Sequence, residues 1–138
     1  MTERRWRLVA VLAVATICGC RGEPPPQPVR GSVFYRGKPA EGAVVTFVAL
    51  ESESNPPKRF AAIAGADGSF RVSSRGVHDG IPVGTYAIAV FYLSPEKKAD
   101  GLNAGPDLLK GKYSDAKTSS LRAELKPGEN ELPPFRFE

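Results

Sequence analysis

The sequence holds a single histidine, His78, in 138 residues. One histidine does not complete a zinc site by itself, since such sites draw three or four ligands from Cys, His and carboxylates. Cysteine is nearly as scarce. Cys18 and Cys20 are the only two, and their spacing is too short for an ordinary disulfide. Long hydrophobic runs are absent: Leu8 to Ile17 is the longest uncharged apolar stretch near the N-terminus, half of the about 20 residues a spanning helix needs. The only tryptophan, Trp6, lies just before that run. No basic stripe with interleaved aromatics occurs, so no nucleic-acid partner is indicated. No Gly-x-Ser-x-Gly elbow is present, and Asp67, Asp79, Asp100, Asp107 and Asp115 are too scattered for a calcium loop. A serine triad would require His78 to meet a distant serine, and its neighbour Asp79 makes a solvated pair the plainer reading. No catalytic residue, metal ligand or cofactor site is assigned.

Against these absences stands an organised N-terminus. Arg4, Arg5 and Arg7 precede the apolar run, and Ile17-Cys18-Gly19-Cys20 closes it. A basic start, a short apolar core and a small-residue cut site make a secretory signal. The closing tetrapeptide resembles the bacterial lipobox, with Ile17 at the aliphatic position and Gly19 before the cut. That resemblance implies a signal peptide over residues 1–19 and lipidation of Cys20, which becomes the first residue of the mature chain. Cys18, preceded by bulky Ile17, is the poorer acceptor. The expected location is the cell envelope, on its periplasmic or outer side, with the membrane reached through the lipid on Cys20. A plain secreted protein is the rival reading.

Removing residues 1–19 leaves 119 residues, enough for one domain with its own core. The formal charge of +4 loses three arginines and one glutamate and falls to +2, so the basic balance owes much to the signal. Residues 20–28 form a lipidated cysteine and a Pro-rich tether. Arg21 to Pro28 holds four prolines, favours polyproline II, and would reach on the order of 25 Å when extended.

Thirteen prolines and fourteen glycines announce many turns and an all-β domain over 29–138. Strands are expected at Val29–Tyr35, Ala43–Leu50, Arg59–Gly65, Ser69–Ser73, Gly84–Leu93, Ser119–Leu125 and Glu131–Glu138. Ala43–Leu50 is apolar on both faces, as in a central strand. Asp67-Gly68 supplies the positive φ of a tight hairpin. Pro133-Pro134 marks an edge strand. Seven strands at this spacing predict a seven-stranded Greek-key β-sandwich. Val45, Phe47, Phe70, Val72, Tyr86, Ile88, Val90 and Leu121 are the expected core, with Tyr86 as a tyrosine corner. Ser94–Thr118 lacks a strand pattern, with Leu102, Leu108, Leu109 and Tyr113 as apolar anchors and one helical turn expected near Asp107–Lys110. Two readings stand for it: a partner site, or a cover for a sheet edge.

Several motifs resemble a carboxypeptidase regulatory-like domain: Val29-x-Gly31-x-Val33, Gly37-Lys38-Pro39, Gly42-Ala43-x-Val45-x-Phe47, Asp67-Gly68-Ser69-Phe70 and Pro82-x-Gly84-Thr85-Tyr86-x-Ile88-x-Val90. Lys112-Tyr113-Ser114-Asp115 and Pro127-Gly128-Glu129-Asn130 resemble the ending of small lipoproteins of planctomycete-type bacteria. The resemblance implies a transthyretin-like (prealbumin-like) sandwich and no activity. Transthyretin-like 5-hydroxyisourate hydrolases need more histidines and a C-terminal Tyr-Arg-Gly-Ser, whereas this chain ends Phe135-Arg136-Phe137-Glu138. The expected function is therefore a non-catalytic, membrane-anchored binding or spacer module whose partner is an envelope protein or a glycan. A carbohydrate-binding domain is the alternative, resting on Tyr35, Phe60, Tyr92 and Tyr113, and a transthyretin-like hydrolase is the remote one.

Overall fold

The computed structural model describes residues 22–96 and 103–138. The expected signal over residues 1–19, Cys20, Asp100 and Leu102 lie outside them. The fold is an all-β sandwich. Its strands are β1 (Val29–Tyr35), β2 (Lys38–Pro39), β3 (Val44–Ala49), β4 (Arg59–Ile63), β5 (Ser69–Arg71), β6 (Gly84–Phe91), β7 (Arg122–Leu125), β8 (Asn130–Glu131) and β9 (Phe135–Phe137). One sheet has the order β4-β3-β6-β7 and is antiparallel throughout. The other is built around β1. Along one edge of β1 run β5 and β2, both antiparallel; along the other run β8 and β9, both parallel.

The alternation of β1 and β3 explains the layering. Val29 and Val33 point from β1 into the core, and Val45 and Phe47 point from β3 to meet them. Phe47 and Phe70 touch across the sheets, their centroids 6.4 Å apart. Both β3 and β6 are flanked on each side by another strand, which fits their apolar character on both faces. Of the expected core, every member is buried except Leu121, which packs half-buried at the margin.

The strand count differs from seven. Lys38–Pro39, which lies in none of the expected strands, pairs with Phe34 and Tyr35 and forms β2. The last strand divides into β8 and β9 because Pro133 and Pro134 lack the amides a continuous ladder requires. Both halves lie at the sheet's edge, in parallel pairing that no local pattern announced. The Asp67-Gly68 turn is a corner between sheets, not a hairpin. The Gly68 carbonyl accepts from the Val33 amide at 2.8 Å, which draws β5 to β1 and leaves β4 beside β3. Gly68 is needed there: φ is +79°, and a Cβ would press on the Val33 carbonyl oxygen at 2.6 Å.

The expected spacer is also shorter than residues 21–28. Gln27 and Ile81 exchange backbone hydrogen bonds of 2.8 and 3.1 Å, and the Gln27 side chain accepts from the Gly128 amide at 2.8 Å. Glu23 pairs with both Lys58 and Arg75. These pairs are exposed, so each contributes no more than about 1 kcal/mol. Together with the Gln27 bridge they lay residues 23–27 of the expected tether against one end of the sandwich.

Candidate functional site

Strand direction gives the sandwich two distinct ends. β1 starts beside Gln27 and runs to Tyr35; β6 starts at Gly84, opposite Leu125, and runs to Phe91. The tether end therefore carries Gln27 and the loops at 51–58, 73–83 and 126–129. The far end carries the turns at 36–37 and 40–43, the 103–118 segment and β9's Phe137, which pairs with Tyr35.

Asp107 organises the far segment. Its Oδ1 accepts from the amides of Tyr92 at 3.0 Å and Leu109 at 3.1 Å, and its Oδ2 accepts from Gly111 at 2.9 Å. A single hydrogen-bonded turn forms here, the Lys110 amide donating to the Asp107 carbonyl at 3.0 Å, and no helix continues from it: the Gly111 amide goes to the carboxylate, and Lys110 (φ +54°) and Gly111 (φ +73°) turn left-handed. Leu109 is buried, and Leu108 and Tyr113 pack on the core. The segment also covers β6 beyond the reach of β7: Tyr113 accepts from the Val90 amide at 2.8 Å, and Tyr92 accepts from Leu108 at 2.8 Å. So it does cover a sheet edge. It also presents Lys110 and Lys112 outward.

Those two lysines line, together with Arg36 and Arg136, a cleft of about 400 Å³. Its apolar lining is Tyr35, Leu108, Leu109, Tyr113 and Phe137. Three of the cations lie against aromatic rings: Arg36 is 5.2 Å from the Tyr35 centroid, Lys112 5.3 Å from Tyr113, and Arg136 5.0 Å from Phe34. Such contacts locate a positive charge without cancelling it. Among the described residues, none of the four cations has a carboxylate within 4.0 Å; the ion pairs are Arg30–Glu131, Lys58–Glu23 and Arg75–Glu23. Glu138 is the one acidic residue of the lining.

Sequence reasoning named Tyr35, Tyr92 and Tyr113 without a cluster. The fold makes one. Tyr35 and Tyr92 meet edge to face at 5.7 Å, and Tyr113 packs on Phe137 at 4.7 Å. Phe60, the fourth candidate, lies instead against Tyr86 on the tether side. Arg36, Lys110, Lys112 and Arg136 carried no signal in the sequence, because nothing in spacing links a turn, a loop and a terminal strand.

A second cleft, of about 320 Å³, lies at the tether end between Glu23, Lys58, Phe60 and Tyr86. Its charges are mixed, with Glu51 and Glu53 beside Lys58, and Glu23 already engages that lysine.

The isolated polar candidates serve turns. His78 is exposed, has φ +57°, and donates its amide to Ser73 Oγ at 2.8 Å. Asp79 does not pair with it. Its carboxylate accepts from the amides of Ser74 (2.8 Å), Gly76 (2.9 Å) and Arg75 (3.1 Å), and from Ser74 Oγ at 3.1 Å. Asp67 accepts from Ser69, and Asp115 from the Lys117 amide. Among the described residues no three His, Cys, Asp or Glu side chains converge as a metal would require. No helix of the described residues is long and apolar enough to cross a membrane.

Asp79 gives a pH prediction. The Ser74 amide, with those of Gly76 and Arg75, favours the carboxylate and lowers its pKa from 3.8 to about 2. Because the folded value is the lower one, the contribution to stability is present above about pH 4 and lost as pH falls through about 2. A proton titration followed at the Arg75 and Gly76 amides is expected to show a midpoint near 2, and Asp79→Asn is expected to abolish it. A midpoint at the ordinary aspartate value would mean the carboxylate does not hold the loop.

No family model matches the chain, and no curated protein matches it. Among solved structures, the chain is similar to a DUF3823 family protein from Parabacteroides merdae ATCC 43184, at 16% sequence identity and a TM-score of 0.41. The similarity covers 80% of this chain and 45% of that one, so the chain spans less than half the length of that protein.

Proposed function

We propose that this protein is a non-catalytic lipoprotein of the cell envelope. Its β-sandwich, of the transthyretin-like kind found in carboxypeptidase regulatory-like domains, is held to a membrane by a lipid on Cys20 and binds its partner at the opposite end. The observation that carries this reading is the polarity of the sandwich. The described chain docks at Gln27, and the four cations that make no ion pair among the described residues lie with the clustered aromatics at the end where β1 and β6 finish. Anchor and cleft therefore do not compete for the same surface.

The docked tether sharpens the picture. With Glu23 held by Lys58 and Arg75, two residues separate it from Cys20, three peptide steps that reach about 10 Å. Such a leash keeps the tether end near the membrane and turns the basic cleft away from it. Binding rather than catalysis is the reading because the far-end cleft gathers cations and aromatic rings. His78 sits at the tether end with its neighbours committed to a turn.

The test is metabolic labelling with palmitate in the host. Label is expected in the wild-type protein and lost in Cys20→Ser, with the variant released from the membrane fraction. Label that persists in Cys20→Ser, or an unlabelled wild type, would sink the anchor.

A further inference from the structure

We infer that the far-end cleft binds an anionic polysaccharide, one bearing carboxylates or other acidic groups among free hydroxyls. This deepens the reading of the sandwich as an outward-facing binding module and rests on it. Four cations reach one cleft from three separate parts of the chain: Arg36 from the β1–β2 turn, Lys110 and Lys112 from the covering segment, and Arg136 from β9. The mature chain carries only a small net charge, so this is a local concentration of positive potential and not a property of the whole surface. Arginine forks suit planar carboxylates, and lysines act as point charges beside them.

The polar complement points to sugar. Among the described residues, the Tyr35 and Tyr113 hydroxyls make no side-chain hydrogen bond within the protein, and both residues line the cleft. Each can donate to and accept from a ligand hydroxyl. The volume of about 400 Å³ falls within the range of about 300–1,000 Å³ that holds small organic ligands. Other polyanions fit less well. Single-stranded nucleic acid wants open aromatic faces, and here Arg36 and Lys112 lie over the two tyrosine rings. An extended acidic peptide would gain most by adding a strand. The edge beside the cleft is β9, three residues long and preceded by Pro133-Pro134. Phe137 already accepts from Arg36, which leaves only Arg136 with outward backbone groups.

The experiment uses the full-length protein in detergent and measures binding to polygalacturonate, neutral dextran and poly-glutamate by titration calorimetry. Binding to polygalacturonate is expected at low salt, with none to dextran and at least tenfold weaker binding to poly-glutamate. The double substitution Lys112→Gln with Arg136→Gln is expected to weaken it at least tenfold at an unchanged melting temperature. Tyr113→Phe, which removes only a hydroxyl, is expected to weaken binding several-fold. No binding to polygalacturonate, equal binding to poly-glutamate, or indifference to the double substitution would each overturn the proposal. Palmitate labelling separates the two readings: loss of the anchor with intact polygalacturonate binding refutes the anchor alone, and a labelled protein that ignores polygalacturonate refutes the glycan alone.

Discussion

Replacing Tyr86 with alanine is expected to destabilise the sandwich by about 3–5 kcal/mol, the range for truncating a large buried aromatic. Tyr86 is 3% exposed, and its ring meets Phe47 and Phe60 edge to face with centroids 6.1 and 6.2 Å away. Its hydroxyl donates to the Pro82 carbonyl at 2.8 Å, closing the corner through which the 73–83 loop enters β6. Alanine would remove both the packing and that bond, and would open the floor of the tether-end cleft. Tyr86→Phe separates the two contributions: it keeps the ring and is expected to cost only about 1 kcal/mol. Burial raises the phenol's pKa above 10. The folded state thus prefers the neutral phenol, so its contribution is complete below about pH 10 and fades as pH rises through the folded value. Tyr86→Phe should remove that alkaline loss. Urea unfolding of the three proteins gives the comparison. A cost below about 1 kcal/mol for alanine would mean that the corner does not fasten β6.

The corner was legible because it is local. Pro82-x-Gly84-Thr85-Tyr86 places acceptor and donor four residues apart, and alternation through Ile88 and Val90 sets the face. The same logic gave β1 its bounds and recognised β3 as central. It failed wherever the chain chose a distant partner. Residue periodicity says which face a side chain occupies, but not which strand lies beside it. Hence the crossing at Asp67-Gly68, the pairing of Lys38–Pro39 and the parallel docking of β8 and β9 on β1 were not readable. The cleft is the extreme case. Arg36 and Arg136 are brought to one place by the Tyr35–Phe137 pairing, and Lys110 and Lys112 by the grip of Asp107 on three amides. Neither contact leaves a local trace. Asp107 itself looked like one more scattered acid, and only its amide partners show that it builds the cleft's wall.

Gly80→Ala is expected to have the second large effect, and it bears on how the domain is held. Gly80 has φ +87°, and a Cβ there would overlap the Gln27 carbonyl and crowd Pro28. The neighbouring Ile81 is fully buried and exchanges its backbone hydrogen bonds with Gln27. An alanine would carry both the left-handed penalty of about 1–2 kcal/mol and an overpacking cost of about 1–3 kcal/mol. Gly37→Ala is the control, since Gly37 has φ +75° but open space around its missing Cβ. It should show the backbone penalty alone. Melting curves give the two costs, and hydrogen exchange at the Gln27 and Ile81 amides shows whether the tether has come away. Equal costs for the two alanines, with Gln27 still protected, would mean the tether is not packed against Gly80. If Cys20 is the anchor as proposed, a larger cost at Gly80 with Gln27 exposed would lengthen the leash from the three steps between Cys20 and Glu23 to the nine between Cys20 and Val29, a reach of about 30 Å. On the proposed reading, that variant would keep its palmitate and its cleft and lose only the fixed orientation that points one away from the other.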